Sequence, residues 1–132
     1  MGLDQYAFAR KGEPEKYIDK NWLGKDQEFI RYPEKNEIAY WRKHPNLQGW
    51  MENLYREKGG DAESFNCVDV ELTLEDLNRL ERDINKGALP STTGFFFGSD
   101  SDEYYKEQDE KFIDAARDSI INGYTVVYNS WW

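Results

Sequence analysis

Apolar and polar residues alternate at the start of the chain, where Leu3 to Ala9 predicts a β-strand with Tyr6 and Phe8 on one face. From there to about residue 33 no period is sustained. Charges are interspersed with Gly12, Pro14, Gly24 and Pro33, which predicts a long ordered loop pinned by Tyr17, Trp22, Phe29 and Tyr32. Loops of that length are unusual in small domains and often functional. Between about Glu34 and Lys58 the pattern turns helical, through Ile38 and Trp41 and then Leu47, Trp50, Met51, Leu54 and Tyr55. Pro45 interrupts this run, because it lacks a backbone donor and clashes with the carbonyl of Trp41. The expectation is a kinked helix, or two helices meeting at His44-Pro45, ended by Gly59-Gly60.

Alternation returns over Asn66 to Leu72 and predicts a half-buried strand, with Val68, Val70 and Leu72 on one side and Cys67, Asp69 and Glu71 on the other. Thr73 and Asp76 then have the spacing of a capping box for a helix whose stripe is Leu74, Leu77, Leu80 and Ile84, stopped by Gly87 near Pro90. The run Phe95-Phe96-Phe97 fits a short, fully buried strand. Acidic residues between Ser99 and Glu103 favour the start of a helix that reaches about Ile121 and buries Tyr105, Ile113, Ala116 and Ile120. Asn122-Gly123 closes it, and Tyr124 to Trp132 is a strand by composition. This order predicts an α+β fold: a small, mainly antiparallel sheet with about three helices packed on one face, in a single domain spanning 1–132.

Composition supports one core. Only 39% of the 132 residues are hydrophobic and 33% are charged, but aromatic residues make up 16%, and each ring buries a large area. The formal charge of −9 repels phosphate backbones and anionic membrane surfaces, so neither nucleic acid nor membrane is an expected partner. Acidity of this degree is read as a solubility feature before it is read as mimicry of DNA. Cys67 is the single cysteine, so no intramolecular disulfide forms. The start has neither a basic segment nor an apolar run of leader type, and no stretch reaches membrane-spanning length, which points to the cytoplasm.

Candidate chemistry is sparse. His44 is the only histidine, which removes His-rich metal clusters and Cys2His2 zinc sites; no catalytic residue, metal or cofactor is expected. A Cys67 and His44 dyad exists on paper, but a small thiol in a strand is ordinarily core. The acidic run from Asp100 to Glu103 lacks the further ligands and the glycine of a calcium loop. The most informative cluster is Tyr40-Trp41-Arg42-Lys43-His44, where rings beside cations could bind a planar or anionic ligand, with Phe96 and Ser99 in the opposite wall. Alternatively Trp41 is core, and Arg42 and Lys43 face water. Trp131 and Trp132 either pack back on the domain or form part of an interface.

Several pieces taken together resemble an uncharacterised family of small phage and bacterial proteins, over nearly the whole chain. They are the Met-Gly-Leu-Asp-x-Tyr start, Glu37-Ile-Ala-Tyr-Trp-Arg-Lys43 followed by Trp50, Leu89-Pro90 with Thr93-Gly94-Phe-Phe-Phe-Gly-Ser99, Asp102-Glu103-Tyr104-Tyr105, and Tyr128-Asn-Ser-Trp131. Family members usually follow Tyr-Trp-Arg-Lys with Ala-Asn and carry a histidine two residues before the second tryptophan. Here His44-Pro45 and Gln48 stand in those places, so a mechanism resting on the family histidine would lack it. The resemblance implies a phage or bacterial setting and no activity. The expected function is a non-catalytic binding or regulatory factor acting on a host protein or on a second copy of itself as a homodimer. The alternative is a small enzyme or small-molecule-binding domain around Trp41 and Arg42.

Overall fold

The computed structural model describes residues 2–92 and 102–132. Its elements run β1 (Asp4–Lys11), β2 (Glu15–Lys20), β3 (Asp26–Arg31), β4 (Glu34–Arg42), α1 (Pro45–Glu57), β5 (Val70–Leu72), α2 (Leu74–Asn85), α3 (Asp102–Ile121) and β6 (Thr125–Trp131). The fold is α+β. Strands β4, β1, β6 and β5, in that order, form an antiparallel sheet, and β2 and β3 form a separate two-stranded antiparallel sheet.

Period-two alternation sorts the two faces of the larger sheet. Ala7 on β1 lies opposite Ala39 and Tyr128, and Gln5 lies opposite Trp41 and Ser130. Together with Ala9, Val126, Val70 and Leu72 these residues form the inner face, all buried except half-buried Ala39. Small alanines along the middle of this face leave room for the large rings of Trp41 and Tyr128 on the flanking strands. The helices close over it: Phe112 of α3 packs edge-on to Trp41 with centroids 5.0 Å apart, joined by Leu47, Met51 and Leu54 of α1 and Leu77 and Leu80 of α2. Each such side chain contributes roughly 1.5–3 kcal/mol by leaving water. The outer face carries Tyr6, Phe8, Tyr40, Arg42, Asn129 and Trp131.

The helix-end chemistry read from the sequence holds in α2. Thr73 Oγ1 accepts from the Asp76 amide at 3.2 Å, and Asp76 Oδ2 accepts from the Thr73 amide at 2.9 Å. Gly87, at φ +64, then lets the chain leave the helix in a conformation that other residues rarely adopt.

Four expectations are corrected. The stretch before Pro33 is a hairpin of β2 and β3, and Trp22, expected to pin it, is 90% exposed. Both faces of this hairpin meet water, so its sequence has no apolar face to reveal it. Residues 34–42 form a strand paired with β1, and Pro45 is the first residue of α1, where a missing amide proton costs nothing. The strand expected over 66–72 shrinks to Val70–Leu72, and Cys67 is exposed at φ +60, not a core thiol. Leu74, expected in the buried stripe of α2, is exposed at its first position. The Phe95-Phe96-Phe97 strand lies outside the described residues.

Candidate functional site

Strand geometry divides the Tyr40 to His44 cluster between two environments. Tyr40 and Arg42 are on the outer face, where the Tyr40 hydroxyl donates to Asp4 Oδ1 at 2.7 Å and Arg42 Nη1 donates to the same oxygen at 3.1 Å. The bond to Asp4, with some desolvation, raises the Tyr40 hydroxyl above the usual tyrosine range. Trp41 points the opposite way and is wholly buried. Lys43 takes φ +59, and its amide donates to Leu3 O at 2.9 Å, so the chain bends and turns His44 inward behind Trp41.

The result is a buried polar centre between the sheet, α1 and α3. His44 Nε2 lies 2.9 Å from Asp109 Oδ2, and Trp41 Nε1 donates to Asp109 Oδ1 at 2.9 Å. The Tyr105 ring stacks on the His44 ring with centroids 4.7 Å apart, and its hydroxyl donates to Arg42 O. The Gln5 amide fixes the backbone of His44 from the other side: Oε1 accepts from its amide at 2.9 Å and Nε2 donates to its carbonyl at 3.0 Å. Gln5 Nε2 also donates to the Tyr128 hydroxyl at 2.9 Å, and that hydroxyl donates to Gln48 Oε1. Burial pushes the Tyr128 hydroxyl far above the ordinary tyrosine range, so it stays protonated as the link between two amides.

A base held by a carboxylate, itself held by an indole, has the form of an orienting pair in acyl-transfer enzymes. Its position argues for a structural role. His44 is 0% exposed and no buried side-chain polar atom among the described residues lacks a partner. The thiol of Cys67 is exposed and turned to Asn66 Oδ1, while His44 is held by Asp109, so the two do not form a dyad. Gln48, at the position of the family histidine, is spent on Tyr128 and on Phe65 O at 3.4 Å. No group of three or more His, Cys, Asp or Glu among the described residues could hold a metal ion, and no described helix is long and apolar enough to cross a membrane. Phe96 and Ser99, assigned above to a pocket wall, lie outside the described residues. Trp131 is half-exposed on the outer face, and Trp132 is half-buried, its amide donating to Asn66 Oδ1 at 3.2 Å.

Asp109 does not stand out in the sequence, because a carboxylate among the many charges of α3 looks like solvent-facing surface. The signal was positional: it falls on the same helical stripe as Tyr105, Phe112, Ile113 and Ala116, four residues after the first of these.

The other unusual feature is the β2–β3 arm. Its cross-strand partners include Glu15 with Arg31, Tyr17 with Phe29 and Lys20 with Asp26. The strands balance charge, with Glu15, Asp19, Asp26 and Glu28 against Lys16, Lys20 and Arg31, and with Lys25 in the turn, on a chain of net −9. The turn is built by Asn21, whose Oδ1 accepts from the amides of Leu23 at 2.9 Å and Lys25 at 3.1 Å. That turn carries Trp22, 90% exposed, and Leu23, 57% exposed. At the base, Gly12 at φ +96 lies so close to Pro33 that a β-carbon would sit 2.8 Å from its Cγ.

No family model, curated protein or solved structure matches the chain.

Proposed function

We propose that the chain is a non-catalytic binding or regulatory factor that engages a host protein in a phage or bacterial cytoplasm through the tip of the β2–β3 arm. One observation carries this reading: Trp22 and Leu23 are held outward on a turn already fixed by Asn21. An exposed tryptophan is unfavourable in water and is the residue type most enriched at the energetic centres of protein interfaces. A preordered turn reduces the ordering cost of binding. The neutral arm also keeps the contact clear of the acidic body.

The small-molecule reading of Trp41 and Arg42 receives no such support. They are consecutive residues of one strand and face opposite sides of the sheet, so they cannot line one cavity.

The test is affinity capture from bacterial lysate with the wild-type chain and with Trp22→Ser/Leu23→Ser immobilised side by side. A captured protein is then purified and titrated directly, and sedimentation of each form checks for a homodimer. The reading requires a protein that binds wild type and loses at least about tenfold in affinity for the variant. Equal capture by both forms, or capture of nothing, overturns it.

A further inference from the structure

Where the arm meets the outer face of the sheet, a depression of about 360 Å³ opens. The sheet side supplies Arg10 of β1 and Lys35 of β4, with Asp69 from the segment before β5. The arm supplies Tyr17 and Arg31, and Tyr32 sits at the joint. Three cations and two phenol rings thus line one concavity of a chain whose net charge is −9.

The local charges do not all cancel. Arg10 lies 4.3 Å from the centroid of the Tyr32 ring and 3.4 Å from Asp69 Oδ2, and Asp69 is further engaged by Asn129 Nδ2 at 2.8 Å. Arg31 lies 5.4 Å from the centroid of the Tyr17 ring and pairs with Glu15 at 3.1 Å, but the paired side chains are 67% and 63% exposed, and a pair so solvated contributes little and releases its arginine readily. Lys35 makes no ion pair among the described residues; its ammonium lies 4.5 Å from the Phe8 ring centroid.

We propose that this depression binds a phosphorylated small molecule of mononucleotide size, the phosphate on Lys35 and Arg31 and a flat ring against the tyrosines. A guanidinium fork and an ammonium suit phosphate oxygens, and aromatic faces suit a planar heterocycle. The volume falls in the range of small-ligand sites. A polynucleotide would run onto the acidic remainder of the body and be repelled, whereas a single nucleotide stays within the basic patch. Because the lining comes from both arm and sheet, an occupant ties the arm to the body.

The test is calorimetric titration of the full chain at low ionic strength with AMP, with adenosine and with inorganic phosphate. AMP is expected to bind at least about tenfold more tightly than either fragment, and Lys35→Gln and Arg31→Gln are each expected to weaken it about fivefold or more. Both side chains are exposed, so circular dichroism and melting temperature should stay at wild-type values. The proposal is overturned if AMP fails to bind at millimolar concentration, if adenosine or phosphate alone binds as well as AMP, or if neither substitution changes the affinity.

Discussion

His44 and Asp109 are separated by 65 positions and meet with Nε2 and Oδ2 2.9 Å apart, both side chains closed off from water. The contact fastens the junction of β4 and α1 to the middle of α3. Trp41, two residues before the bend at Lys43, uses the second carboxylate oxygen, so one side chain of α3 fixes both the edge strand β4 and the cap of α1.

Removing that carboxylate should therefore be costly. Asp109→Ala removes the acceptor of the Trp41 indole N–H and the carboxylate that holds His44 Nε2, and is expected to destabilise the fold by roughly 3–5 kcal/mol in urea unfolding. Trp41→Phe keeps a six-membered aromatic ring but loses the pyrrole ring with its N–H, so its cost combines a core cavity with one lost bond. A loss below about 1 kcal/mol for Asp109→Ala would show that the pair does not hold α3 in place.

Gly49 lies inside α1, where alanine is intrinsically the better helix former by about 1 kcal/mol. The opposite outcome is expected here, because a β-carbon at this position would fall 2.0 Å from Thr92 Oγ1 and 3.0 Å from Thr92 Cβ. Gly49→Ala should lower the melting temperature, and adding Thr92→Ala should recover part of the loss. A melting temperature raised by Gly49→Ala alone would mean that the 90–92 segment does not seat on α1.

Trp22 should show the reverse profile. Its exposure gives it almost nothing to contribute to folding, so Trp22→Ala is expected to change unfolding free energy by no more than about 0.5 kcal/mol. Its indole fluorescence should be accessible to a neutral quencher in the free protein. A destabilisation of 1–2 kcal/mol, by contrast, would place Trp22 against the body and remove the basis of the proposed contact.

Acid should weaken the start of α2. Burial alone would push the Asp76 carboxyl up, but its bonds with Lys58 and with the amide and hydroxyl of Thr73 hold it below the ordinary aspartate range. The folded carboxyl is therefore the stronger acid. Its stabilisation is present above the unfolded value of about 3.9 and is lost as pH falls through the lower folded value. Asp76→Asn should be less stable than wild type at neutral pH, and the gap between their urea midpoints should close below about pH 4. A gap unchanged across that range would mean that the carboxylate charge is not what matters.

The legible parts of the sequence were those where one face meets water and the other meets the core. The Leu77-Leu80-Ile84 stripe has that property, while the capping box at Thr73 and the glycine stop are legible as local helix-end signals and the final strand by its β-rich composition. The arm has water on both sides, so its alternation of charged and apolar residues has no buried set to mark it. The region from Glu34 to Arg42 misled for a different reason: Ile38 and Trp41 happen to be three residues apart and continue smoothly into the true helix. The better signal was Pro45, a residue that begins helices more readily than it bends them. The buried centre was half legible. Trp41 and His44 were singled out, but a carboxylate can be recognised as buried only by its place on an apolar stripe, and amides such as Gln5 and Gln48 give no such sign on their own.

The central position of β1 has a consequence for how this chain comes into being. Its neighbour β6 is joined to it by the Gln5 to Tyr128 bond, across 123 positions of sequence. During synthesis β1 can pair with β4 soon after that strand emerges, but its other edge stays unmatched until β6, more than a hundred residues after β1, has followed. For that interval the nascent protein presents an open strand, the arrangement most prone to pairing with a stranger. Arg10 and Lys11 at the far end of β1 would act there as charged guards against that mispairing.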